Sequence, residues 1–130
     1  MKTRITIIIL LALGLIGMVV AEQLYVADTL KYMQTETDQI KTAIFENDDI
    51  NSTFLIEKIN ALDENWKKRE NILCFIVNHK DMEKVGEQIE KLKVLSPQNK
   101  KEEAEYEAQL LVYYVDGYEH FIAVTFQNIF

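Results

Sequence analysis

The sequence predicts an all-α protein, an N-terminal transmembrane helix followed by an antiparallel helical bundle of three long or four shorter helices. Three observations predict it. Residues 5–21 are an uncharged apolar run behind Lys2 and Arg4. Beyond that run, apolar residues recur at alternating spacings of four and three, the period of helices with one buried stripe. Four glycines and one proline in 130 residues leave few tight turns, which argues against an all-β fold.

The apolar run is about 17 residues, the low end for crossing a bilayer. It is too uniformly apolar for a buried helix of a soluble protein, which keeps one polar face. Val19 and Ala21 are small enough to precede a signal-peptide cleavage site at Glu22. Against cleavage, apolar residues resume at once with Leu24, Tyr25 and Val26, and no turn residue intervenes. The expectation is therefore an uncleaved anchor over residues 1–21 and a folded domain over 22–130. Lys2 and Arg4 hold the short side in the cytoplasm by the positive-inside rule, which delivers the domain outside it. No cysteine follows the run, so a lipid anchor on cysteine is excluded.

The first stripe reads Val26, Leu30, Met33, Thr37, Ile40 and Ile44, with a single Thr among apolar residues. Asn47-Asp48-Asp49-Ile50-Asn51-Ser52 ends that helix and offers Asn51 or Ser52 as the next amino cap. A second stripe follows at Leu55, Ile59, Leu62, Trp66 and Leu73. A third reads Ile72, Phe75, His79, Met82, Gly86 and Ile89, and ends near Leu95. No Gly or Pro separates these two, so residues 53–95 are expected as one long helix. A break between Arg69 and His79, giving four helices, is the alternative. Ser96-Pro97-Gln98 marks the next break, and Asn99 is expected to cap the last helix with Glu102 as its reciprocal partner. That helix carries Ala104, Ala108, Leu111, Val115, Tyr118 and Ile122.

Residues 22–130 hold all 21 acidic side chains against 12 basic ones, a net charge of −9. That balance excludes a nucleic-acid binder, which must replace phosphate counterions with Lys and Arg. It equally disfavours a domain lying flat on anionic lipid.

Candidate chemistry is sparse. His79 sits on an apolar stripe and could titrate or bind a metal. The helical-bundle metal sites use Glu-x-x-His pairs, however, and the residues three before His79 and His120 are Ile76 and Gly117. A structural histidine is expected. Cys74 lies in the apolar stretch Ile72-Leu73-Cys74-Phe75-Ile76-Val77, where an inert buried thiol is the ordinary outcome. Ser52 and Ser96 lie where caps belong, without the glycine-flanked elbow of a serine hydrolase. The acidic pairs Asp48-Asp49 and Glu102-Glu103 fall in breaks and helix starts, where negative charge suits the helix dipole. No catalytic residue, cofactor or metal ligand is expected. Trp66 is expected to be a core anchor. The carboxyl-terminal residues 121–130 stay apolar throughout, whereas most chain ends are polar. If the last helix continues to about Gln127, Ile122 and Phe126 extend its stripe, and Phe121, Val124 and Phe130 have no assigned place. The tail either packs back on the bundle or offers a surface to another protein.

A short basic-apolar start, Trp66, His79 thirteen residues later and an ending in Asn128-Ile129-Phe130 occur together in this chain. In these features it resembles the domain of unknown function 4363 family, small proteins mainly of spore-forming Gram-positive bacteria. The resemblance implies an uncleaved membrane anchor and genetic association with other small membrane proteins. It supplies no catalytic residue.

The expected function is a non-catalytic, membrane-anchored, extracytoplasmic interaction module. Its expected partner is another membrane protein or a second copy of itself, with Trp66, His79, Phe126, Asn128, Ile129 and Phe130 as structural or interaction residues. The alternative is a helical ectodomain that senses a small ligand or cation and acts through a membrane partner. A pocket lined by His79 and carboxylates would favour sensing. A filled core with an exposed apolar stripe would favour docking.

Overall fold

The computed structural model describes the backbone of residues 1–73 and 79–129 and the side chains of residues 1–73 and 80–119. Among these residues there are four helices and no strand: α1 (Lys2–Glu46), α2 (Thr53–Leu73), α3 (His79–Leu95) and α4 (Lys101–Ile129).

α1 is one uninterrupted helix of 45 residues, about 68 Å at 1.5 Å per residue. Its apolar part is long and apolar enough to cross a membrane, and none of that part is buried. Burial begins with Val26 and continues through Met33, Ile40 and Ile44, on the face that the heptad spacing marks. Thr37 lies on this face and is buried. Its hydroxyl donates to the Met33 carbonyl at 2.6 Å, while Thr29, the other buried polar residue of α1, accepts from Arg69 of α2. The helix ends where the Asn-Asp run begins, and the Asn47 side chain donates to the Ala43 carbonyl at 2.6 Å. Ser52 then caps α2, its Oγ accepting from the Leu55 N–H at 3.3 Å.

Residues 53–95 are not one long helix. α2 ends at Leu73 and α3 begins at His79, and the two run back to back in opposite directions. Lys93 reaches Asp63 at 2.8 Å, and Lys67 reaches Glu90 at 3.2 Å. The physical reason lies in the two stripes, which would point to nearly opposite sides of a continuous rod. Folding back turns Met82 and Ile89 of the third stripe inward, so Leu55, Ile59, Leu62, Trp66 and Leu73 share a core with them and with Val85 and Leu92. Ile72, expected on the third stripe, lies on α2 and is exposed. Three long helices would have left one stripe in water.

Each helix packs on its neighbours in the order α1–α2–α3–α4, with α4 closing back on α1. All four pairs are antiparallel. Arg69 meets Asp28 while Lys58 meets Glu36; Lys91 meets Glu107 while Lys84 lies over the Tyr114 ring; Gln34 meets Glu119 while Lys101 meets Asp48. Ala104 and Ala108 on α4 are fully buried, and their small side chains permit close approach at that end.

Asn99 does not cap α4. Its backbone adopts φ 54°, the left-handed region that Asn tolerates better than most residues. Its side chain instead ties two connections together. Oδ1 accepts from the Ile50 N–H at 2.8 Å, and Nδ2 donates to Asp49 Oδ1 at 3.2 Å. Ser96 Oγ donates to the Ile50 carbonyl in the same cluster. The turn before α4 thus holds fully buried Ile50 against the core by both of its backbone polar groups.

Candidate interaction surface

Interior polar residues decide which groups are left for function. Asp63 on α2 is buried and accepts from Lys67 and Lys93, each at 2.8 Å. Burial raises its carboxyl, but the two hydrogen bonds outweigh that effect and hold it below the usual carboxylate value. Hydrogen bonds to Asp63 and Glu90 hold Lys67 above the usual lysine value, and the bond to Asp63 does the same for Lys93. On the α1–α2 seam, the Arg69 guanidinium donates to Thr29 Oγ1 at 2.9 Å and Asp28 at 3.1 Å, and lies 4.6 Å from the Tyr32 ring centroid. Burial and Glu36 raise the Tyr32 hydroxyl against the opposing influence of Arg69 and Asn65. These groups are committed to one another and join helices.

The core is filled. A cavity of about 20 Å³ touches all four helices, at Met33, Trp66, Val85 and Val115 among others. That is room for about one water and for no ligand. Among the described residues, no group of three His, Cys, Asp or Glu could hold a metal ion.

The outer face of α3 and α4 is different. A groove of about 670 Å³ runs between them, lined by Val94, Leu95 and Tyr106 together with Glu90, Lys91, Glu102, Glu103 and Glu107. Val94 is 57% exposed, Tyr106 61% and Tyr113 71%. Tyr106 and Tyr113 are seven residues apart and therefore share one stripe of α4. A second concavity of about 240 Å³ continues the seam past Lys84, Tyr113, Tyr114 and Gly117. Large aromatic side chains with a polar tip suit a surface that is wet when free and buried when bound.

The residues singled out from sequence fall in two places. Trp66 is 3% exposed, in the core between α2 and α3. His79 opens α3. Phe126, Asn128 and Ile129 belong to α4, which runs two residues past the expected end at Gln127. The side chains of His79, Phe126, Asn128 and Ile129, and all of Phe130 and Cys74, lie outside the described residues. The antiparallel pairing of α3 with α4 brings the start of the former and the end of the latter to the same end of the bundle. Sequence reading missed the Asp63 and Arg69 clusters, because nothing local distinguishes them from solvated charges. It also missed Tyr106 and Tyr113, for which a signal existed: two tyrosines seven apart and off the buried stripe.

The profile of a family described as a domain of unknown function (DUF4363) matches residues 20–129. No curated protein sequence matches the chain, and no solved structure does.

Proposed function

The chain belongs to the DUF4363 family, and from that premise we propose a non-catalytic interaction module, held in the membrane by the first part of α1 and docking on a partner in the same membrane. The family match begins at residue 20, where the apolar run gives way to the bundle. The continuity of α1 through residues 19–22 supports an uncleaved anchor, since a helical backbone is a poor protease substrate. Lys2 and Arg4 on the short side support an extracytoplasmic domain.

The single observation that carries the docking reading is the contrast between the filled core and the exposed Val94–Tyr106–Tyr113 surface. A ligand sensor needs a cleft or cavity that buries most of its ligand, whereas a docking module needs an exposed apolar strip on a folded scaffold. The partner is a membrane protein or a second copy of this chain, and a groove lined by four glutamates and one lysine favours a basic contact surface.

The test is crosslinking and recovery from native membranes in mild detergent, comparing the wild type with Tyr106→Ser/Tyr113→Ser. Both side chains are exposed, so the double variant keeps its fold and its helical circular dichroism. The expected result is loss of the crosslinked species. Unchanged recovery would show that the seam is not the docking site.

A further inference from the structure

The antiparallel contacts assign each helix terminus to one of two ends of the bundle. α1 enters from its apolar run, with Val26 the first buried residue. The same end receives Leu73 at the close of α2, His79 at the start of α3 and the final turns of α4. Gln34 on α1 donates to Glu119 on α4 at 3.0 Å. From Glu119, α4 continues ten residues to Ile129, about 15 Å at 1.5 Å per residue. The same distance back along α1 from Gln34 arrives at Leu24, three residues from the apolar run. Residues 121–129 contain no charged side chain, and neither do residues 74–78, which join Leu73 to His79.

Charge divides along the same axis. Met33, Trp66, Val85 and Val115 line one cavity and so mark one layer of the bundle. On the side of the apolar run, residues 22–33, 66–73, 79–85 and 115–129 carry seven acidic and six basic side chains, net −1. Residues 34–65 and 86–114 carry fourteen and six, net −8.

We infer that the end of the bundle nearest the apolar run rests in the bilayer surface, with residues 121–129 of α4 set in the headgroup–acyl boundary beside α1. The inference rests on the anchoring reading above. An uncharged helical end gains by leaving water for the interface, and the near-neutral half it belongs to is not repelled by anionic lipid. The strongly acidic half is repelled, so the domain stands upright with its Asn47–Ser52 and Ser96–Lys100 connections farthest from the membrane. This gives residues 121–129 a lipid surface as their contact and leaves the α3–α4 seam, higher on the side of the bundle, for a protein.

The experiment reconstitutes the full chain into phosphatidylcholine vesicles that contain lipids brominated at defined depths. One tryptophan is added at a time: Leu13→Trp in the apolar run, Phe126→Trp in the end of α4, and Phe54→Trp at the far end, where Phe54 is 70% exposed. Native Trp66 is buried, and its signal in the parent protein is subtracted. The expected result is strong quenching of Leu13→Trp by deep bromines, quenching of Phe126→Trp by shallow bromines, and none for Phe54→Trp. Phe121→Trp serves if Phe126→Trp loses its helical spectrum. Quenching of Leu13→Trp with none at either α4 position would overturn the inference while leaving the anchor in place. Quenching at neither Leu13→Trp nor Phe126→Trp would overturn the anchor, and the inference with it.

Discussion

The indole nitrogen of Trp66 on α2 lies 3.4 Å from where a Cβ on Gly86 of α3 would stand. The largest side chain in the core is thus seated against the one residue that offers it no side chain. The indole N–H finds no acceptor among the described residues, so the contact is one of shape alone. Removing the ring should cost far more than removing its nitrogen. Trp66→Ala is expected to destabilise by about 3–5 kcal/mol, and Trp66→Phe by clearly less. Gly86→Ala places its methyl at ordinary contact distance and removes a helical glycine, so it is expected to be neutral or stabilising by up to about 1 kcal/mol. Gly86→Leu should destabilise by overpacking. Urea midpoints in mild detergent check all four. A Trp66→Ala change below about 1 kcal/mol would show that the ring is not a core anchor.

Asp63 makes stability depend on acid. Its folded carboxyl is held below the usual value, so its contribution is complete above the unfolded value and is lost as pH falls through the folded one. Lys67 and Lys93 are raised, so their share is present below the usual lysine value, near pH 10.5, and is lost as pH rises beyond it. Asp63→Asn should cost about 1–2 kcal/mol at pH 7, because Lys67 and Lys93 remain partly in water. The gap between wild type and variant should close below about pH 4. A gap that stays constant from pH 7 to pH 3 would refute this role.

At the far end, Asn99 combines a left-handed backbone with the hydrogen bond to Ile50. Asn99→Gly removes the hydrogen bond and keeps the backbone easy, at a cost of about 1 kcal/mol. Asn99→Ala should cost about 1 kcal/mol more, since it also incurs the left-handed penalty. Thermal unfolding should therefore rank wild type above glycine and glycine above alanine. Alanine equal to glycine would mean that the backbone strain is relieved elsewhere.

Arg69 separates two contributions that share one side chain. Asp28 is 72% exposed, so Asp28→Ala should change stability by less than about 0.5 kcal/mol. Thr29 is buried and Tyr32 partly so, which makes the remaining contacts the larger share. Arg69→Ala should cost about 1–2 kcal/mol, and Arg69→Lys most of that, because an ammonium cannot serve Thr29, Asp28 and the ring together. Full rescue by Lys would show that charge alone matters.

The helical stripes were legible in the sequence because periodicity is a local property. Val26, Met33, Thr37, Ile40 and Ile44 on α1, and Ala104, Ala108, Leu111 and Val115 on α4, are buried at the spacings that mark them. So were the ends made by strong local breakers, the Asn-Asp run after Glu46 and Ser96-Pro97 after Leu95. Tertiary structure alone decided what no local rule contains. Ile72-Leu73-Cys74-Phe75-Ile76-Val77 suits a helix interior or a buried connection equally. Only the demand that two opposed stripes share one core turned α3 back onto α2. Asn99 reads locally as a cap, yet Ile50, 49 residues earlier, was the stronger claimant for its side chain. Asp63 with Lys93 and Arg69 with Thr29 are partners 30 and 40 residues apart. Such pairings are set by which helix faces meet, and each helix's own sequence fixes its face but not its neighbour.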